Sequence, residues 1–175
     1  MKDKIKELGF SNVEKISVAD IAFEPSLIEL CRLNSCGNYG KNYTCPPYVG
    51  DTEKLIKEAK DYKYAFVFQK IYPLEDSFDI EGMNNARIEF RLLTKKVGAL
   101  FKETKEKYKV LAAGGCSECE VCALITNEPC RFPDIAYPSL EAYAVNVSKL
   151  ATLSGMKYIN GQNTVTYFGM VLIKE

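Results

Sequence analysis

Histidine is absent from all 175 residues of the chain. Its absence removes the commonest general base, the Ser/His and Cys/His nucleophile pairs, and every mixed Cys/His zinc site. Tryptophan is missing as well. An excess of charge is also lacking, because 23 Lys and Arg balance 23 Asp and Glu. A chain that binds nucleic acid non-specifically carries a basic surplus, so no nucleic-acid partner is expected. No apolar run approaches the roughly 18 residues of a membrane span, so no membrane association is expected. The opening residues, MKDKIKELGF, are charged and amphipathic and lack the apolar core of a secretory signal. The expectation is a cytoplasmic protein.

What the chain does hold is thiol. Seven cysteines stand in a sequence that is 47% apolar and 26% charged, an ordinary globular balance. That length suits one continuous core, and a single domain over 1–175 is expected. With imidazole gone, the cysteines are the main candidates for metal ligation or redox work.

The order of elements follows from periodicity and punctuation. NVEKISVADIAF (12–23) alternates like a strand, and SLIELCRL (26–33) reads as a short helix capped by Ser26 that delivers Cys31. CGNYGKNYTCPPYVG (36–50) is a loop by its Gly, Asn and Pro content. Asp51 or Thr52 caps the next helix, and YKYAFVFQKIY (62–72) is an apolar, central strand. Across 80–107, Met83, Ala86, Phe90, Leu93, Val97, Leu100 and Thr104 form one apolar stripe at helical spacing. KVLAAGG (109–115) is a short buried strand, Ser139 caps a helix running to Gly155, and TVTYFGMVLIK (164–174) is a last strand. Strands alternating with helices imply an α/β or α+β fold. About four strands form a mixed or parallel sheet, helices pack on it, and two cysteine-rich loops gather at one edge.

GGCSECEVCALITNEPCRFP (114–133) carries the sharpest chemistry. Three readings of its thiols compete. Disulfides suit secreted domains, whereas this chain lacks a signal and has an odd number of cysteines. Structural zinc takes four thiolates, normally from two separated Cys-x2-Cys knuckles. Here Cys116, Cys119 and Cys122 follow at successive three-residue steps, a run that wraps one ion only with difficulty. A 4Fe-4S cluster presents separate irons to three such thiolates, with a more distant cysteine near proline as the fourth ligand. Cys130, between Pro129 and Pro133, fits that place, although its gap is longer than in bacterial ferredoxins. Gly114, Gly115, Val121 and Ala123 leave room for backbone amides to approach the cluster. The first expected ligand set is therefore Cys116, Cys119, Cys122 and Cys130.

Cys31, Cys36 and Cys45 follow a C-x4-C-x8-C pattern before Pro46-Pro47. They are either small buried hydrophobes or a second metal site. Cys36 and Cys45 fall in a polar loop, which favours the metal. Three thiolates leave one iron of a second cluster open to water, substrate or a small anion. Alternatively Cys130 crosses over to that cluster, as in two-cluster ferredoxins.

CRLNSCGNYGKNYTCPPYVG, AAGGCSECEVCALITNEPCRFP and YPSLEAYAVNV together resemble the cysteine-rich, predicted metal-binding proteins grouped as domain of unknown function 2284. The resemblance spans nearly the whole chain. It is most specific at Cys45-Pro46-Pro47, at the three-cysteine run with Cys130-Arg131-x-Pro133, and at Pro138-Ser139-x-Glu141-Ala142. It implies a cytosolic protein with bound metal, iron–sulfur in kind, and no particular reaction. Arg32, Tyr39, Lys41, Tyr43, Arg131 and Glu141 are candidates to line a pocket over an open iron, each weighed against a plain surface or loop-tying role. Tyr137 is a packing residue. The functional expectation is one or two 4Fe-4S clusters, for electron transfer with a redox partner protein or for chemistry on a small-molecule ligand at the open iron. The alternative is a zinc-stabilised binding module without catalysis. No catalytic residue is assigned.

Overall fold

The computed structural model describes residues 1–174. In chain order the elements are α1 (Lys2–Glu7), β1 (Asn12–Ser17), α2 (Ile28–Arg32), α3 (Thr52–Lys60), β2 (Tyr64–Pro73), α4 (Ile80–Lys102), β3 (Lys107–Leu111), α5 (Val147–Leu153) and β4 (Thr164–Lys174). The four strands form one sheet in the order β1-β2-β4-β3. All three pairings are antiparallel, with Phe66 opposite Val171, Lys15 opposite Phe66 and Val110 opposite Val171. The fold is α+β.

The antiparallel sheet corrects the expectation of a mixed or parallel one, and the reason lies in the last strand. β2 and β3 do run the same way, as a helical crossover through α4 requires. β4 then inserts between them, antiparallel to both, and turns a parallel neighbour pair into two antiparallel ladders. The strand β2 is central, as its apolar run requires.

Both faces of the sheet are covered. Alternation sends Ala65 and Val67 of β2, with Met170 and Leu172 of β4, to a core shared with Leu55, Leu140 and Leu150. Phe66, Phe68, Val171 and Ile173 face the opposite way, against Phe90, Val97 and Phe101 of α4 and Ile5 of α1. Phe68 and Phe90 are fully buried, each contributing about 1.5–3 kcal/mol of apolar burial. Burial on both faces explains why β2 reads as a continuous apolar stretch.

Local corrections have local causes. The first strand stops at Ser17, whose hydroxyl accepts from the Ala19 amide at 3.3 Å and opens a turn over Val18–Asp20. Pro25 begins a tight turn that leads straight into α2, so the chain is already helical at Ser26, which caps nothing. Asp51 caps α3, its carboxylate accepting from the Lys54 amide at 3.0 Å. The expected 139–155 helix is broken. Ser139 accepts from the Ala142 amide and starts only the short turn Glu141–Tyr143, which ends at Ala144 in the left-handed region. Val145 pairs with Phe23 as an isolated bridge, and Asn146 then caps α5 through the Lys149 amide.

Candidate metal centre

The two cysteine loops meet beside β3, an edge strand. Beyond β3 the Ala112 amide donates to Pro138 at 2.8 Å, and the Leu140 amide donates back to Ala112 at 3.0 Å. Those bonds clamp the ends of the 113–137 excursion. Gly114 turns the chain at φ +66°. At Gly115 the loops press together so closely that a Cβ would lie 2.3 Å from Asn38 Oδ1.

Three side chains of the first loop complete the joint. Thr44 Oγ1 accepts from the Cys116 amide at 3.2 Å and donates to Asn42 Oδ1 at 2.7 Å. The Tyr43 hydroxyl donates to the Glu128 carbonyl at 2.7 Å. Asn42 and Thr44 are buried, so these bonds act in a low-dielectric setting where breaking them is costly.

The joint sorts the seven thiols, all of them free, into two sets. Cys116, Cys119, Cys122 and Cys130 line one narrow recess of about 20 Å3. Cys31, Cys36 and Cys45 line a second, open pocket of about 440 Å3. Cys130 thus stands with the tight triplet, not with the first loop. Among the described residues, no three Cys, Asp or Glu side chains converge on a single-ion position. Burial raises the Cys45 thiol to about 11, with hydrogen bonds from Asn42 and Thr44 opposing it. Burial also raises Cys31 and Cys116, and the Arg91 charge pulls Cys116 back down. Thiols held protonated by desolvation need a metal to become thiolates at neutral pH.

Arg91 is the residue that sequence reasoning missed. It sits on α4 with 4% of its surface exposed. Nη1 donates to the carbonyls of Ala113 and Gly114 at 3.1 and 3.3 Å, and Nη2 to that of Tyr137 at 3.3 Å. Its Nε is buried without a partner. No described carboxylate lies within ion-pairing distance, since Glu118 is held by Lys95 at 3.0 Å. Desolvation lowers the Arg91 pKa, while negative charge on Cys116, Glu118 and Cys45 supports the cation. Arg91 therefore feels one thiol from each set. A buried cation without a carboxylate calls for other negative charge nearby, which metal-bound thiolates supply. The sequence carries little signal for it, because its burial is seen only in the fold. Arg91, Thr94, Gly98 and Phe101 form a second buried ridge beside the apolar stripe, and at Gly98 a Cβ would lie 2.0 Å from the Tyr137 hydroxyl.

The other polar candidates divide. Tyr39 and Glu141 line the three-thiol pocket, and Tyr43 and Arg131 line the four-thiol recess. Arg32 and Lys41 line neither, and Arg32 pairs with Glu29 on the surface at 2.8 Å. Arg131 ties its own loop, donating to the Val121 carbonyl at 3.1 Å and to Glu128 at 2.9 Å. Glu141 keeps accessible surface, yet protein crowds its carboxyl and desolvation raises its pKa, against hydrogen bonds from its own amide and Ser139.

The donor set fits a metal centre: soft thiols in two groups, flanked by a buried cation and backbone pressed close by glycine. Fold and site together define a cysteine-rich α+β protein of metal-binding type. The chain belongs to the family described as predicted metal-binding protein (DUF2284), whose model matches residues 14–173. No curated protein and no solved structure matches it. Among the described residues no helix is long and apolar enough to cross a membrane.

Proposed function

We propose that this metal-binding protein is an iron–sulfur protein. Cys116, Cys119, Cys122 and Cys130 hold one 4Fe-4S cluster, and Cys31, Cys36 and Cys45 hold a second with one iron free of protein thiolate. The observation that carries this reading is the partition of seven thiols into four and three, each set lining its own recess. A tetrahedral zinc site takes four sulfurs about 2.3 Å from a common centre, and the three-thiol set is one sulfur short of that number. Bound clusters supply electron storage and, at an iron lacking a protein thiolate, a Lewis-acid position. The chain's own part is to hold the sets apart, keep water from the buried Cys45 and the part-buried Cys116, and compensate charge through Arg91. The four-thiol set serves electron transfer with a partner protein, and the open three-thiol set serves a small-molecule ligand.

One observation favours a second reading at the four-thiol set alone. Its recess is narrow enough for a single ion, so a zinc-stabilised module without catalysis is the competing assignment. Anaerobic purification with iron, sulfide and zinc analysis separates the two. Iron with acid-labile sulfide is expected, along with a reduced-state EPR signal. Cys119→Ala should remove one centre and Cys36→Ala the other, each sparing its neighbour. Colourless protein carrying stoichiometric zinc would overturn the iron–sulfur reading.

A further inference from the structure

We infer that the three-thiol pocket is a binding site for a small organic cation, an amine carried on an apolar body, with Glu141 as its charge partner. The inference rests on the proposed reading for the negative charge of the thiol floor, and on Glu141 for the rest.

The pocket has the size of a small-molecule site. Its volume of about 440 Å3, shared with the proposed cluster on its thiols, is within the range of roughly 300–1,000 Å3 usual for such sites. Its walls are largely apolar, built from Leu27, Leu30, Val145 and Val147, with the rings of Tyr39 and Tyr158 beside them. Leu30 and Tyr158 are 62% and 51% exposed, apolar surface that a bound ligand would cover. Tyr158 is fixed from behind by stacking on Phe168 at 6.0 Å between ring centroids.

Charge selects the ligand. Apart from the thiols and two tyrosines, Glu141 is the only ionisable side chain in the lining, and no lysine or arginine is present there. Of the three cations next to lining residues in sequence, Arg32 is engaged by Glu29 at 2.8 Å and Lys149 by Glu24 at 2.6 Å, while Lys157, beside Tyr158, is exposed and lies outside the lining. The lining asparagines are also committed. Asn146 donates to Glu24 and accepts from the Lys149 amide, and Asn38 donates to the Cys36 carbonyl. Apart from the proposed open iron, a carboxylate or phosphate entering this pocket meets only Glu141 and metal-bound thiolates, with no lysine or arginine in the described lining to receive it. An ammonium group meets a partner, and its apolar body meets the leucine and valine wall. Like-charge rejection is how such a site discriminates.

A matched pair of probes tests this on the metal-loaded protein: phenethylamine, and 3-phenylpropionate, which puts a carboxylate on the same aromatic body. Calorimetry and ligand-observed NMR should show saturable phenethylamine binding, with 3-phenylpropionate at least tenfold weaker. Glu141→Gln should weaken the amine about tenfold with iron content unchanged. Ser148→Lys, at an exposed lining position, should weaken the amine and admit the acid, which guards against a folding defect in the first variant. Equal binding of the two probes, no phenethylamine binding at 10 mM (roughly the weakest affinity of interest), or an unchanged ratio in both variants would overturn the inference. Iron analysis fails separately. If Cys36→Ala leaves the iron content intact, the second-cluster reading falls while the amine preference carried by Glu141 persists.

Discussion

Replacing Arg91 with methionine removes a buried positive charge while keeping most of the side chain's length. Its consequences differ between the metal-free and metal-loaded protein. In both, the carbonyls of Ala113, Gly114 and Tyr137 lose their donor, at about 1–3 kcal/mol for each acceptor left buried. In the metal-free protein the variant also relieves the desolvation of an unpaired cation, which costs several kcal/mol. The two nearly offset, and denaturant unfolding of metal-free protein should change by no more than about 2 kcal/mol. In the loaded protein the same cation compensates anionic thiolates from both sets, and stripping one partner from a buried charge pair costs about 3–5 kcal/mol. On the proposed iron–sulfur reading, a positive charge favours the reduced, more negative cluster, so its loss lowers the reduction potential. A differential of about 1.4 kcal/mol corresponds to about 59 mV for one electron, so EPR-monitored redox titration should show a drop of at least about 60 mV. Arg91→Lys, which keeps the charge but loses the planar fork, should fall between. An unchanged potential, with equal destabilisation of loaded and metal-free protein, would reduce Arg91 to a tie between backbone carbonyls.

Two further outcomes follow from neighbouring geometry. Gly115→Ala places a methyl group 2.3 Å from Asn38 Oδ1 and must displace that side chain, whose Nδ2 donates to the Cys36 carbonyl, so metal retention under chelator should fall several-fold with the circular dichroism spectrum unchanged. Wild-type retention in that variant would mean that the joint is not needed to hold the metal. Burial pushes the Tyr137 phenol up from 10 to about 12, so the fold favours its neutral form. Its contribution is complete below pH 10 and is lost as pH rises toward 12. Unfolding of Tyr137→Phe between pH 9 and 12 should lack that part of the decline, and identical slopes would contradict the assignment.

The strands and α4 were legible because their signals are dense. β2 is a run of buried aromatic and aliphatic residues, and Phe90 and Val97 recur at helical spacing. The direction of pairing was not legible, because it depends on where β4 inserts, and that is decided by contacts more than a hundred residues apart, such as Phe66 with Val171. The 139–155 helix failed for a similar reason: helix propensity through Ala144 lost to the pairing of Val145 with Phe23. At the site, spacing alone nominated the Cys116 triplet and Cys130, and they line one recess. Spacing could not separate Cys130 from the first loop, because the separation depends on Thr44 and Tyr43, whose bonds reach across more than seventy residues. Arg91 was hidden because a cation on an amphipathic helix reads as solvated until its surroundings are known.

The insertion of β4 between older neighbours has a bearing on assembly in the cell. Every cysteine lies upstream of that strand, so during synthesis all seven sulfurs emerge while the centre of the sheet is still missing. Until residues 164–174 arrive, β3 has no ladder to stand on and the gathering loops have no foundation. Metal delivered early would meet an unstructured, oxidisable tether, so maturation has reason to wait for translation to pass this point.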